Sequence, residues 1–181
     1  MGDTSASSLQ RLKPAVEYAK ASGVYADDYL ALAKATKDNI DKVQLNQLTD
    51  WLATGRLRKV SDDVFESPSS GLQYTVNTAR EGHVFAHVLK HNVDDVTKAT
   101  PHGVFRGDIM NHIDDVWNRR APQYQVSRPD SRIQYDVPVA PDVGYVGGQP
   151  GAASGFPDAT HVTIVVEADG KTLVTAYPIK K

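Results

Sequence analysis

The run His161-Val162-Thr163-Ile164-Val165-Val166-Glu167, then Asp169-Gly170, then Thr172-Leu173-Val174-Thr175-Ala176-Tyr177-Pro178-Ile179 decides the reading of the fold. Two strand-like segments flank the residue pair that tight hairpin turns prefer. Side chains alternate across a strand, so Thr175 and Tyr177, two apart, point to one face. The chain is already β-like from Tyr124, where short runs such as Ile133-Gln134-Tyr135-Asp136-Val137 are separated by Pro and Gly. Gly144-Tyr145-Val146-Gly147-Gly148-Gln149-Pro150-Gly151 is too glycine-rich for an ordinary strand. It predicts a bulge or a close approach of backbone to something else.

Further upstream the period changes to that of a helix. Leu9, Leu12 and Val16 recur after Ser7 or Ser8, with Pro14 as a kink or first turn and Gly23 as the stop. Tyr25 to Lys37 reads as a second helix with Asp27 and Asp28 in its first turn. A third runs from about Asn39 to Gly55, with Leu45, Leu48 and Leu52 on one face and Trp51 beside them. Asp108 to Arg119 is a later helix, lined by Ile109, Ile113, Val116 and Trp117 and closed by Pro122. His112 within it reads as structural or exposed. Helices first and an antiparallel sheet second make an α+β order. The turn-rich Ser67-Pro68-Ser69-Ser70-Gly71 places a candidate boundary at 70/71. Residues 1–70 are then either a helical delivery or docking module or the first layer of a single domain, and 71–181 hold the α+β part.

The 181 residues carry a net charge of −2, 40% hydrophobic residues, 23% charged residues and no cysteine. That is the composition of an ordinary globular chain with room for a core. Disulfides, zinc–thiolate centres and thiol nucleophiles are excluded, and no apolar run is long enough to span a bilayer. A chain acting on nucleic acid at this net charge needs its positive charge to be local. Arg119, Arg120, Arg128 and Arg132 are the available cluster.

Four of the six histidines lie between His83 and His102. On a helix over Gly82–His91, His83, His87, His91 and Lys90 share one stripe, while Val84, Phe85, Val88 and Leu89 face a core. A loop carrying Pro101-His102-Gly103-Val104-Phe105-Arg106 follows. No phosphate-binding glycine loop and no Gly-x-Ser-x-Gly elbow is present. His83 and His87 have the spacing of helical zinc ligands, but Val84 stands where a metalloprotease has its glutamate. The chemistry the cluster best suits is acid–base catalysis without metal or cofactor: one imidazole takes a proton, another gives one, and a cation neutralises a phosphorane. With a threonine and a tyrosine hydroxyl to orient the phosphate, these groups suffice to cleave RNA through its own 2′-hydroxyl.

Gly82-His83-x-x-x-His87-Val88 with Lys90-His91, and the closing Leu173-Val174-Thr175-Ala176-Tyr177-Pro178, resemble two motifs of bacterial polymorphic-toxin ribonucleases. These are a Gly-His…Lys-His-Val helix and a terminal Thr-x-Tyr-Pro strand. They belong to the C-terminal toxin domains of contact-dependent growth inhibition systems, of the RNase A-like or EndoU-like type. The resemblance covers roughly residues 80–181. It implies a cytotoxic endoribonuclease, with tRNA as the expected substrate, that leaves a 2′,3′-cyclic phosphate. It also implies a cognate immunity protein, delivery as part of a larger secreted or cell-surface toxin, and action in the target-cell cytoplasm. Thr175 and Tyr177 are the residues it carries over most specifically. His87 is its first choice of helix histidine, with His83 and His91 close behind. His102 would be the second imidazole, and Lys90 or Arg106 the cation. Two other classes compete: a non-enzymatic interaction module with a solvated histidine face, and a metal-dependent hydrolase using the cluster.

Overall fold

The computed structural model describes residues 17, 20–21, 23, 26–36, 40–77 and 82–181. The chain is an α+β protein. The helices α1 (Ala26–Thr36) and α2 (Lys42–Ala53) precede the strands. The expected helix from Ser7 or Ser8 to Gly23 lies almost wholly outside the described residues. Asp41 starts α2 as a reciprocal capping box with Gln44. Past its end Gly55 takes a φ of 73°, a conformation that costs glycine little.

Three short strands follow, β1 (Arg58–Ser61), β2 (Val64–Glu66) and β3 (Gln73–Tyr74), forming one small antiparallel sheet. Then β4 (Val76–Asn77) pairs with β5 (Gly82–His83), which runs directly into the short helix α3 (Val84–Val88) and a 3₁₀ turn, Leu89–Asn92. Next come β6 (His102–Phe105), α4 (Ile109–Asn118), β7 (Gln125–Val126), β8 (Ile133–Pro138), β9 (Gly144–Gly147) and α5 (Gly148–Ala153). The hairpin β10 (His161–Val166) and β11 (Leu173–Ile179) ends the chain.

The main sheet is antiparallel in the order β11-β10-β8-β7. Its core face carries Val137, Val162, Ile164, Val166 and Ala176, packed with Ile109, Ile113, Val116 and Trp117 of α4. That is the amphipathic stripe expected of this helix, and Asp108 caps its start. The opposite face is polar. Cross-strand register sets Tyr177, Thr163 and Asp136 in one row and Thr175, Val165 and Gln134 in the next. α3 packs along β11 on the edge of the sheet.

The core does not stop at residue 70. Leu32, Leu48, Trp51, Phe65 and Tyr74 belong to the same buried cluster as Phe85, Met110 and Ile164. The Ser67–Gly71 turn, where the sequence suggests a break, is tied inward instead. The hydroxyls of Ser67, Ser69 and Ser70 donate to the Asp114 carboxylate of α4 at 2.7, 2.6 and 2.6 Å. Residues 31–36 and 40–74 thus pack against the rest of the described body, held to it by apolar contact and by this three-hydroxyl clasp. No described helix is long and apolar enough to cross a membrane.

Candidate active site

The site grows out of how the chain leaves β5. A helix over the whole of Gly82–His91 is the expectation, but Gly82 and His83 are strand and the α-helix lasts only five residues. His83 is its N-cap, with φ −76° and ψ 142°, and its Nδ1 accepts the Phe85 N–H at 3.3 Å. Its Nε2–H donates to the Asp63 carbonyl at 3.2 Å. The ring is 2% exposed and stacks on Phe85. Burial pushes its pKa down to about 4. Pairing with β4 therefore removes His83 from the histidine stripe and makes it a structural cap.

His87 and His91 stay together on the side facing β11. His87 Nε2 lies 2.9 Å from Thr175 Oγ1, a contact across 88 residues of sequence. The His91 ring is edge-on to His87, with centroids 5.6 Å apart, and stacks on the Tyr177 ring at 5.5 Å. Two helix imidazoles thus meet the two hydroxyl side chains that alternate along one face of the last strand. His91 is 9% exposed, and its Nδ1–H donates to the Gly103 carbonyl at 2.7 Å, which leaves its Nε2 as the acceptor nitrogen. Burial first, then the neighbouring His102, His87 and Lys98, lower its pKa to about 3. His91 is a neutral ring at physiological pH.

β6 makes this arrangement possible by lying directly on the end of β11. A Cβ on Gly103 would stand 2.0 Å from the Pro178 carbonyl oxygen, and one on Gly144 would be 2.7 Å from Pro178 Cγ. The glycine-rich stretch predicts such an approach: Gly144 meets Val104 and Pro178, Gly147 meets Asp94, and Gly148 meets the Thr100 carbonyl. His102, one residue before Gly103, stacks behind His91 at 4.9 Å. Its Nδ1 accepts from Lys98 Nζ at 2.8 Å, and its Nε2–H points to the carbonyls of Val93 and Lys90 at 3.2 and 3.3 Å. Both nitrogens are occupied inside the protein, so His102 supports His91 and does not present a second imidazole.

Arg106 is held elsewhere. Its guanidinium donates to the Pro141 carbonyl and to Asp158, at 2.7 and 2.8 Å, and covers the Tyr145 ring. It braces the 141–145 turn. Lys90 is exposed on the 3₁₀ turn. His112 is structural, as its place in the sequence suggests: its Nε2–H donates to the Arg106 carbonyl at 2.7 Å.

Sequence reading singled out neither Asp136, Gln134 nor Thr163, although the polar face of the sheet brings all three into line with Tyr177 and Thr175. Asp136 is 7% exposed and accepts from Thr163 Oγ1 at 2.8 Å, Gln134 Nε2 at 3.0 Å and Lys181 Nζ at 2.7 Å. Burial works against its ionisation, yet the bonds from Lys181, Gln134 and Thr163 hold its carboxyl below the usual range. The available signal was the alternation of Gln134 and Asp136 with Ile133, Tyr135 and Val137. Only the strand register shows that they share the face of Thr175. Among the described residues, no group of three or more His, Asp or Glu side chains is placed to hold a metal ion together. No family model, curated protein or solved structure matches this chain.

Proposed function

We propose that the chain is an endoribonuclease that cleaves RNA through the substrate's own 2′-hydroxyl. The observation that carries this reading is the meeting of His87 with Thr175 and of His91 with Tyr177. In the reaction, the His87 imidazole takes the proton of the 2′-hydroxyl. The O2′–P bond forms as the P–O5′ bond breaks, and the leaving 5′-oxygen takes a proton from the Tyr177 phenol; solvent then returns a proton to the phenolate and takes the one held by His87. The Thr175 hydroxyl orients the His87 ring. The buried, neutral His91 ring holds Tyr177 by stacking. Products are a 2′,3′-cyclic phosphate and a 5′-hydroxyl, and no step draws on a metal ion.

The resemblance of residues 82–91 and 173–178 to polymorphic-toxin ribonucleases supports extending this to biology. The substrate is then tRNA, and the chain is the toxin part of an interbacterial competition system. It is delivered to the cytoplasm of a target cell, and an immunity protein of the producing cell covers the site. Incubating the full chain with total tRNA in the presence of chelator tests the chemistry. Fragments should carry 2′,3′-cyclic ends, and a deoxynucleotide at the cleaved position should abolish cutting because the nucleophile is gone. Fragments ending in 5′-phosphate, or continued cutting of the deoxy substrate, would defeat the reading. Expression of the intact chain should arrest bacterial growth, and Tyr177→Phe should relieve the arrest.

A further inference from the structure

The four arginines between 119 and 132 are not equivalent once placed. Arg119 is paired with Asp115 and donates to the Pro138 carbonyl. Arg120 lies over the Trp117 ring at 3.7 Å and donates to its carbonyl. Arg132 is paired with Glu167. Arg128, on the loop between β7 and β8, is bonded to Gln134. Gln134 stands on the same sheet face as Thr175, with Val165 between them in the register. Adjacent strands are about 4.8 Å apart, so Gln134 sits about 10 Å from Thr175. That is within the span of one nucleotide step plus an arginine side chain.

The guanidinium of Arg128 is held in a fixed plane. Its Nε and Nη2 donate to the two oxygens of Asp130 at 2.8 Å each, and its Nη1 donates to Gln134 Oε1 at 2.8 Å. A guanidinium has five N–H groups. Three are used, and no acceptor among the described residues takes the other two. Gln134 is itself fixed, because its amide nitrogen donates to the buried Asp136. Tyr177 lies within electrostatic range of Arg128.

We propose that Arg128 is a phosphate-binding residue of the RNA site, using its two remaining N–H groups to hold a backbone phosphate beside Tyr177. The proposal rests on the reading of the site as a ribonuclease and supplies a cation at the sheet face, which Arg106, held by Pro141 and Asp158, does not. Asp130 offsets part of the charge while fixing the plane. Recognition is therefore by directed hydrogen bonds more than by long-range attraction. Gln134 and Asp136 act as positioning residues behind it.

The test uses the full chain and a 2′-O-methyl oligoribonucleotide, which binds like RNA but lacks the nucleophile. Its affinity is read by fluorescence anisotropy over a range of salt. Arg128→Gln should bind about tenfold more weakly, and its log–log salt dependence should flatten by up to about 0.7. Arg128→Lys keeps the charge but loses the fork, and it should recover only part of the affinity. Arg132→Gln removes the same charge from the Glu167 pair and should bind as wild type does. Equal binding by wild type and both Arg128 variants overturns the inference, as does an equal loss in Arg132→Gln. If that happens while wild type still makes 2′,3′-cyclic ends, the ribonuclease reading stands without it. A wild-type chain that neither binds the oligonucleotide nor cuts tRNA removes both. Should Arg128→Gln fail to fold, the Arg128→Lys comparison decides alone, and wild-type affinity there counts against the fork.

Discussion

His87 and His83 show how two histidines four residues apart come to different work. One has its Nε2 on a hydroxyl from the far end of the chain, and the other caps a helix inside the core. His87→Ala should therefore lower RNA cleavage by roughly 10²–10⁴-fold while leaving the thermal transition close to wild type. Thr175→Val keeps the β-branched shape and removes only the hydroxyl, so it should lower the turnover rate more than it changes substrate affinity. His83→Gln should leave the rate per folded molecule intact. Single-turnover rates, normalised by a folded fraction from circular dichroism, check all three.

The elements are fastened to one another by few and specific devices. The Ser67–Gly71 turn is tied to α4 by the carboxylate of Asp114, which accepts three hydroxyl hydrogen bonds, and by Asn118, which donates to the Ser69 carbonyl. Replacing Asp114 with alanine takes the carboxylate from the buried Ser67 hydroxyl, while Ser69 and Ser70 can turn to water, and Asp114→Ala should cost about 2 kcal/mol of unfolding free energy. A urea titration that finds less than a tenth of that would mean water substitutes freely for the carboxylate. The contact of β6 with β11 depends on a missing side chain in the same way that the turn depends on a present one. Gly103→Ala drives a Cβ against the Pro178 carbonyl. It should shift β6, loosen the His91–Gly103 hydrogen bond and reduce activity more than it reduces stability.

For the whole molecule, the shared core should make residues 71–181 poor at standing alone. A chain beginning near Ser70 loses Leu48, Trp51, Phe65 and the serine clasp, and it exposes Tyr74 and Phe85. It should show a broad, low-cooperativity melt, and a sharp native transition in that fragment would show that the helical layer is dispensable. Acid should destabilise the intact chain through its buried imidazoles. His83 and His91 have folded-state pKa values of about 4 and about 3, below the roughly 6.5 of an unfolded chain. The unfolded chain binds their protons first as pH falls. Their contribution is complete above about pH 6.5 and is lost as pH drops through the window down to 3–4, by up to about 1.4 kcal/mol per pH unit for each group. Denaturant midpoints at pH 7 and pH 5 should differ markedly in wild type, and less in His83→Gln.

The sequence by itself determined the elements whose causes are local. The Asp169-Gly170 turn, the stripe of Ile109, Ile113, Val116 and Trp117, and the shared face of Thr175 and Tyr177 all follow from spacing and turn chemistry between near neighbours. Local signals also placed α1 and α2, with Gly55 as the stop of α2, whose start lies at Asp41–Lys42 and not at Asn39. Only the tertiary structure decided the rest, because it depends on partners far away in sequence. Pairing with β4 pulled His83 out of its expected helix, and Lys98 with two carbonyls consumed both nitrogens of His102. The register of β8, β10 and β11 put Gln134 and Asp136 on the same sheet face as Thr175 and Tyr177, across β10, and through Gln134 it brought Arg128 to that face. The Ser67–Gly71 turn reads locally as a break, but a carboxylate 44 to 47 residues away makes it a joint. Helical and turn propensities act over a few residues, whereas strand register, burial and hydrogen-bond saturation are settled only when distant segments compete for the same core.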